Sequence, residues 1–234
     1  PYGWLEDFDP DWTPNTTDAG QRRYRYGQQP AIAQWNLLQL ANALYPLIEE
    51  TKPLEDILGS FATHYENQWQ CMMANKLGLA NFDAEITNRL LKLLTETETD
   101  MTLFFRHLAD VKNADTDTAF LQNAYYAPQT INADLQAQTQ KWLGDYLGIA
   151  EQQGQSQGPR AALMNRTNPL YVPRNYLAQL AIDDADNGDF KRLNTWMSVL
   201  ERPYTWQEGM DEYAEKRPEW ARNRSGCSML SCSS

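Results

Sequence analysis

From residue 30 onward the apolar side chains return every third or fourth position, and no segment shows a sustained period of two. That periodicity puts one side of each segment into a core as a helix and leaves no half-buried strand to build a sheet. The clearest case starts at Pro53, where Leu54, Ile57, Leu58, Phe61, Tyr65, Trp69, Met72 and Met73 step along one face. Gly78 is placed to close that helix, which is expected over about 54 to 76 and among the best packed, with Phe61 and Trp69 buried. The fold class that follows is all-α.

The remaining helices read from their stop and start signals. Pro30 suits a first turn leading through Trp35, Leu37, Leu38, Leu40, Leu44, Leu47 and Ile48, and Pro46 should end or kink that helix. Asp83 and Asp100 are good N-caps for two short amphipathic helices, carrying Ile86, Leu90 and Leu94 and then Phe104, Phe105 and Leu108. Further helices are expected around 116 to 125, from about 132 to 150, from Arg174 to Asp184, and through Phe190, Trp196 and Leu200. The polar, Gly-containing run from Gln152 to Pro159 reads as a mobile loop. Short connections imply one packed bundle.

The first 29 residues are different. Asp7, Asp9, Asp11 and Asp18 alternate with Trp4, Phe8 and Trp12, and Pro10 and Pro14 interrupt them, so no regular element fits. An irregular stretch of that length is often functional and needs partners to hold it.

Charge narrows the partners. Twenty Lys and Arg against 31 Asp and Glu give a net charge of -11, which repels phosphate backbones and offers no basic face. Neither nucleic acid nor an anionic membrane is an expected partner. No apolar run approaches the roughly 18 to 20 residues of a membrane-spanning helix, and the first residues lack the regions of a signal peptide. With only three cysteines in 234 residues, a reducing cytoplasm is the expected setting.

Few residues offer chemistry of their own. The run Asp183 to Gly188 fails as a calcium loop, because Ala185 and Asn194 occupy positions that require oxygen ligands, the second of them a bidentate Glu. A polar helix end capped by Gly188 is the better reading. His64 and His107 fall on helices with no triad or metal spacing around them. Cys71 lies beside an apolar face and reads as a buried thiol. Cys232, three residues from the end in Cys227-Ser228-Met229-Leu230-Ser231-Cys232, reads as exposed and is the redox candidate, with Cys227 as its nearest competitor. Lys216, Arg217, Arg222 and Arg224 precede it and are expected to pair with the acidic body.

Several segments together carry a resemblance. They are Pro1-Tyr2-Gly3-Trp4 with Phe8-Asp9-Pro10, Arg23-Tyr24-Arg25-Tyr26-Gly27-Gln28-Gln29-Pro30 with Trp35-Asn36-Leu37, Asn168-Pro169 with Arg174-Asn175-Tyr176-Leu177-Ala178, Arg202-Pro203-Tyr204, and Trp220-Ala221-Arg222-Asn223 through to Cys232-Ser233-Ser234. They resemble the selenoprotein O family, also called YdiU or UPF0061, from end to end. The resemblance implies a protein-kinase-like fold that transfers AMP from ATP, with Mg or Mn, to Ser, Thr or Tyr hydroxyls of proteins. It also implies that the sequence begins just after an Asp-Tyr-Gly metal motif. The nucleotide loop, phosphate-binding Lys, catalytic Asp and metal-binding Asn would then lie upstream, so catalytic, cofactor and metal residues in this chain are expected to be none.

On that alignment residues 1–29 look like an activation-type segment, 30–215 like a helical C-lobe with additional helices, and 216–234 like a tail ending in the redox candidate. A missing kinase-like N-lobe is an implied partner. Eukaryotic members carry selenocysteine at the position of Cys232. Some members pair that position with an activation-segment cysteine, but Pro14 stands there in this sequence. Two other readings of the residues remain: a non-catalytic helical module that binds a protein partner through an apolar surface, and a thiol oxidoreductase.

Overall fold

The computed structural model describes residues 5–13, 15, 18, 20–112, 121–224, 226 and 227. Among them are eight α-helices: α1 Gln29–Ile48, α2 Lys52–Leu77, α3 Ala84–Glu96, α4 Met101–Leu108, α5 Ala133–Gln152, α6 Gln157–Thr167, α7 Asn175–Asp186 and α8 Lys191–Leu200. There is no strand among the described residues, only the isolated bridges Asp7 to Asp100 and Thr99 to Tyr125. The all-α expectation holds.

The caps explain where most helices begin and end. Asp83, Asp100 and Asn132 each accept a hydrogen bond from a backbone N–H of the first turn, at Ile86, Leu103 and Leu135. Gly78 ends α2 at φ +66°, and a Cβ there would lie 2.7 Å from Arg160 Cγ and 2.8 Å from Met164 Cγ. Both the left-handed backbone and the close approach of α6 therefore require glycine.

Two expectations on helix boundaries need correction. Pro46 does not end α1, which continues to Ile48, because a proline in the last turn leaves only one carbonyl, that of Asn42, without its helical donor. The supposed loop from 152 to 159 is half helical: only residues 153–156 connect α5 to α6, and Pro159 sits in the first turn of α6, where a missing N–H costs nothing. The helix expected around 116 to 125 lies mainly outside the described residues.

The core is two clusters rather than one bundle. The first joins the end of α2 with α3, α4, α5 and α6 around Leu77, Leu90, Phe105, Leu108, Trp142 and Tyr146. Trp142 stacks on Tyr146 with ring centroids 5.3 Å apart and donates its Nε1–H to the Ile86 carbonyl at 2.9 Å. The second cluster joins α7, α8 and the C-terminal segment through Tyr171, Tyr176, Leu177, Trp196 and Tyr213.

Helices α1 and the first half of α2 form a hairpin outside both clusters. Only Met73, Ala74 and Leu77 of α2 are buried, and Phe61 and Trp69 are half-buried. The apolar stripe of α2 was read correctly as a stripe, yet most of it faces α1 and open space rather than the core.

Candidate functional site

The irregular N-terminal segment is held at one end by a buried polar cluster and borders an apolar groove at the other. Its anchor is the turn between α3 and α4. Phe8 N–H donates to the Thr99 carbonyl at 3.1 Å, and Met101 N–H donates to the Glu6 carbonyl at 2.9 Å. Asp100, which caps α4, also points its second function inward: its carboxylate takes Arg174 bidentately at 2.6 and 3.2 Å and accepts the Tyr126 hydroxyl at 3.0 Å.

The C-terminal segment closes the cluster from the other side. Arg217 lies 3.4 Å from the Glu6 carboxylate and 3.2 Å from that of Glu98, while Arg222 binds both oxygens of Glu98 at 2.5 and 3.0 Å. Arg217 also lies over the Tyr126 ring, 4.8 Å from its centroid. Lys216 donates to the Asn123 and Tyr125 carbonyls, and Arg224 pairs with Asp183. Arg217, Arg222 and Arg224 thus pair with the acidic body as expected, whereas Lys216 is held by backbone carbonyls.

Burial sets the electrostatics of this cluster. It pushes the Glu6 carboxyl up to about 7, against the opposing pull of Arg174 and Arg217. It also pushes the Tyr126 phenol up, and the Asp100 charge adds to that. For Arg174 burial alone would favour the neutral form, but Asp100 outweighs it and the guanidinium is held charged.

The groove opens between the N-terminal segment, the start of α1 and the middle of α2. Phe8, Pro10, Tyr26, Phe61, Tyr65 and Trp69 line a space of about 860 Å³ whose walls are mostly apolar. Gly27 donates its N–H to the Pro10 carbonyl at 2.7 Å, an approach so close that a Cβ there would lie 3.0 Å from the same oxygen. Arg23 lies over the exposed Trp35 ring of α1, 4.3 Å from its centroid.

Beyond the groove the same surface continues along α1. Trp35, Leu38, Leu40, Leu44, Leu47 and Ile48 are all exposed, and Ala41 is the one buried residue of the helix.

The sequence candidates separate in this structure. Cys227 is buried, its thiol is pushed up by burial, and its carbonyl accepts the Asn175 side chain at 2.7 Å. Cys232 and Pro14 lie outside the described residues. Cys71, expected to be buried, is exposed, because it lies on the face of α2 turned away from the core that Met73, Ala74 and Leu77 enter. His64 is exposed and bonded to the Ser60 carbonyl, and His107 is held neutral by burial. The sequence reading missed the polar cluster: Asp100 was legible as a cap and Arg174 as part of a motif, but a pair separated by 74 positions leaves no local signal.

Among the described residues this donor set does not fit a divalent metal. The carboxylates that converge, Asp100, Glu98 and Glu6, already face guanidinium groups, and no cluster of three or more His, Cys, Asp or Glu among the described residues is arranged to hold a metal ion.

A family model described as protein adenylyltransferase SelO matches residues 1–201. The chain belongs to the selenoprotein O family. Curated relatives agree along its whole length. A protein nucleotidyltransferase YdiU of Rhodopirellula baltica is 47% identical over 251 residues, covering 100% of this chain and 46% of the relative. Proteins of the same name from Flavobacterium johnsoniae and Azoarcus sp. are 46% and 47% identical, again over 100% of this chain and 46% of each relative. The chain thus spans about half the length of these selenoprotein O relatives. No helix among the described residues is long and apolar enough to cross a membrane.

Proposed function

We propose that this chain is the C-terminal portion of a protein adenylyltransferase that transfers AMP from ATP to Ser, Thr or Tyr hydroxyls of proteins, with Mg or Mn. In this reading residues 1–29 form an activation-type segment, 30–215 the helical C-lobe of a kinase-like fold, and 216–234 a tail carrying the redox candidates Cys227 and Cys232. The nucleotide and metal ligands come from a kinase-like N-lobe outside this chain.

The observation that carries the reading is α1. Its 20 residues contain no charged side chain, yet all but Ala41 are wholly or partly exposed. A helix without charge that leaves Trp35, Leu38, Leu40, Leu44, Leu47 and Ile48 exposed presents a contiguous apolar surface of the kind that a partner normally covers. This chain accounts for 46% of the length of its relatives, and in this reading the remaining part covers that surface. The groove beside the N-terminal segment lies on the same side and would be roofed by the same half.

The same exposed face supports the rival reading, a non-catalytic helical module that docks on a separate protein. Purified chain incubated with labelled ATP and Mg or Mn separates the two when compared with the chain co-expressed with the first half of a YdiU relative. The adenylyltransferase reading expects no label on protein from the chain alone and label once the two halves are together. Label from the chain alone would overturn the assignment of the ligands to the other half. Halves that do not associate would favour the module, and so would an upstream reading frame without an Asp-Tyr-Gly codon run joined to Pro1.

A further inference from the structure

Three of the four buried side-chain atoms that lack a hydrogen-bond partner among the described residues belong to one cluster: Glu6 Oε1, Arg174 Nε and Arg217 Nε. An acceptor and two donors are thus left over where the N-terminal segment, the start of α7 and the C-terminal segment meet. The rest of the cluster is fully paired. Asp100 holds Arg174, Glu98 holds Arg222, and Arg217 is shared between Glu98 and Glu6. Glu6 is therefore the carboxylate with the least compensation, 7% exposed and with one oxygen unmatched.

We propose that Glu6 is a proton-operated latch that docks the N-terminal segment onto the 98–101 turn and the C-terminal segment when neutral and loosens it when ionised.

The physical argument follows from what surrounds the carboxyl. Arg174 and Arg217 face it from α7 and the C-terminal segment, Asp100 from the cap of α4, and Asp7 from its own segment; Glu6 in turn adds to the field on Tyr126, Tyr176 and Cys227. Desolvation is the largest influence and raises the carboxyl to about 7, against Arg174 and Arg217, which pull it down more than Asp100 and Asp7 push it up. A group whose folded value lies above its unfolded one gives stability that is complete below the unfolded value and lost as pH rises through the folded one. Ionised Glu6 regains solvation only if the segment lifts, breaking the two backbone hydrogen bonds, Phe8 to Thr99 and Met101 to Glu6, that hold it down. The inference concerns this chain alone and does not depend on the adenylyltransferase reading.

Amide hydrogen exchange of the 234-residue chain, corrected for intrinsic base catalysis, tests it at the Phe8 and Met101 amides. Their opening should rise about tenfold per pH unit between roughly pH 5 and 6.5 and level off above about 7.5. Glu6→Gln should keep both amides protected with no such rise. A flat wild-type profile, protection that grows with pH, or a Gln variant that retains the wild-type dependence would each overturn the latch. Should the variant fail to fold, the side-chain carboxyl carbon of Glu6, followed by NMR in the wild type, decides the matter: a midpoint near the ordinary glutamate value would sink the proposal.

Discussion

Arg174 grips Asp100 with two hydrogen bonds, 2.6 and 3.2 Å long, in a place where the side chains are 1% and 0% exposed. The pair joins the start of α7 to the cap of α4 and so ties the two hydrophobic clusters together. Removing one member strands a buried charge. Asp100→Asn or Arg174→Met should therefore each cost roughly 3 to 5 kcal/mol in denaturant melts, and the double change to Asn and Met should cost less than the sum. A strictly additive double variant would show that the two residues do not act as a pair.

The two clusters and the projecting hairpin should respond differently to truncation. Trp142→Ala removes a fully buried, stacked and hydrogen-bonded ring and should cost roughly 3 to 5 kcal/mol. Phe61→Ala, at a half-buried position on α2 where the sequence suggested a core residue, should cost well under that, on the order of 1 kcal/mol. Equal losses at both sites would mean that the hairpin is covered in solution.

Thiol reactivity should follow exposure. Limited alkylation of the native chain, read by mass spectrometry, should modify Cys71 ahead of Cys227, whose thiol is buried and kept protonated. Faster labelling of Cys227 would contradict the packing of the C-terminal segment against α7.

Lys76 gives a second pH signature. Its ammonium donates to Asn168 at 2.8 Å and lies 4.2 Å from the centre of the Phe105 ring, and burial lowers it to about 8. The folded state thus releases this proton more readily than the unfolded chain, so the Lys76 contribution to stability should increase as pH rises from about 8 toward the ordinary lysine value near 10.5. Thermal melts of Lys76→Met should lack that increase.

Local signals carried most of the fold. Asp83, Asp100 and Gly78 mark helix ends through contacts within a few residues of themselves, which periodicity and capping rules can read. What periodicity does not contain is the identity of the surface a stripe will meet, and so Phe61 was expected in a core that its half of α2 never enters, and Cys71 in one that its face of α2 turns away from. The α6 helix was hidden because Gln157, Gly158 and Pro159 look like loop residues until Pro159 is seen to occupy a first turn. The anchoring cluster was the least legible part, since Glu6, Asp100, Arg174 and Arg217 are brought together only by the packing of four distant segments.

The absence of charge along α1 also bears on how the isolated chain behaves in solution. A long apolar stretch is normally interrupted or flanked by gatekeeper charges that discourage association with other copies. Here the interior of the stretch has none, and the charges lie only at its flanks, Arg22, Arg23 and Arg25 on one side and Glu49, Glu50 and Lys52 on the other. Colloidal stability then falls to the net charge of -11 carried by the rest of the surface, so added salt or a pH near 4.6, where that charge vanishes, should precipitate the isolated chain through this helix.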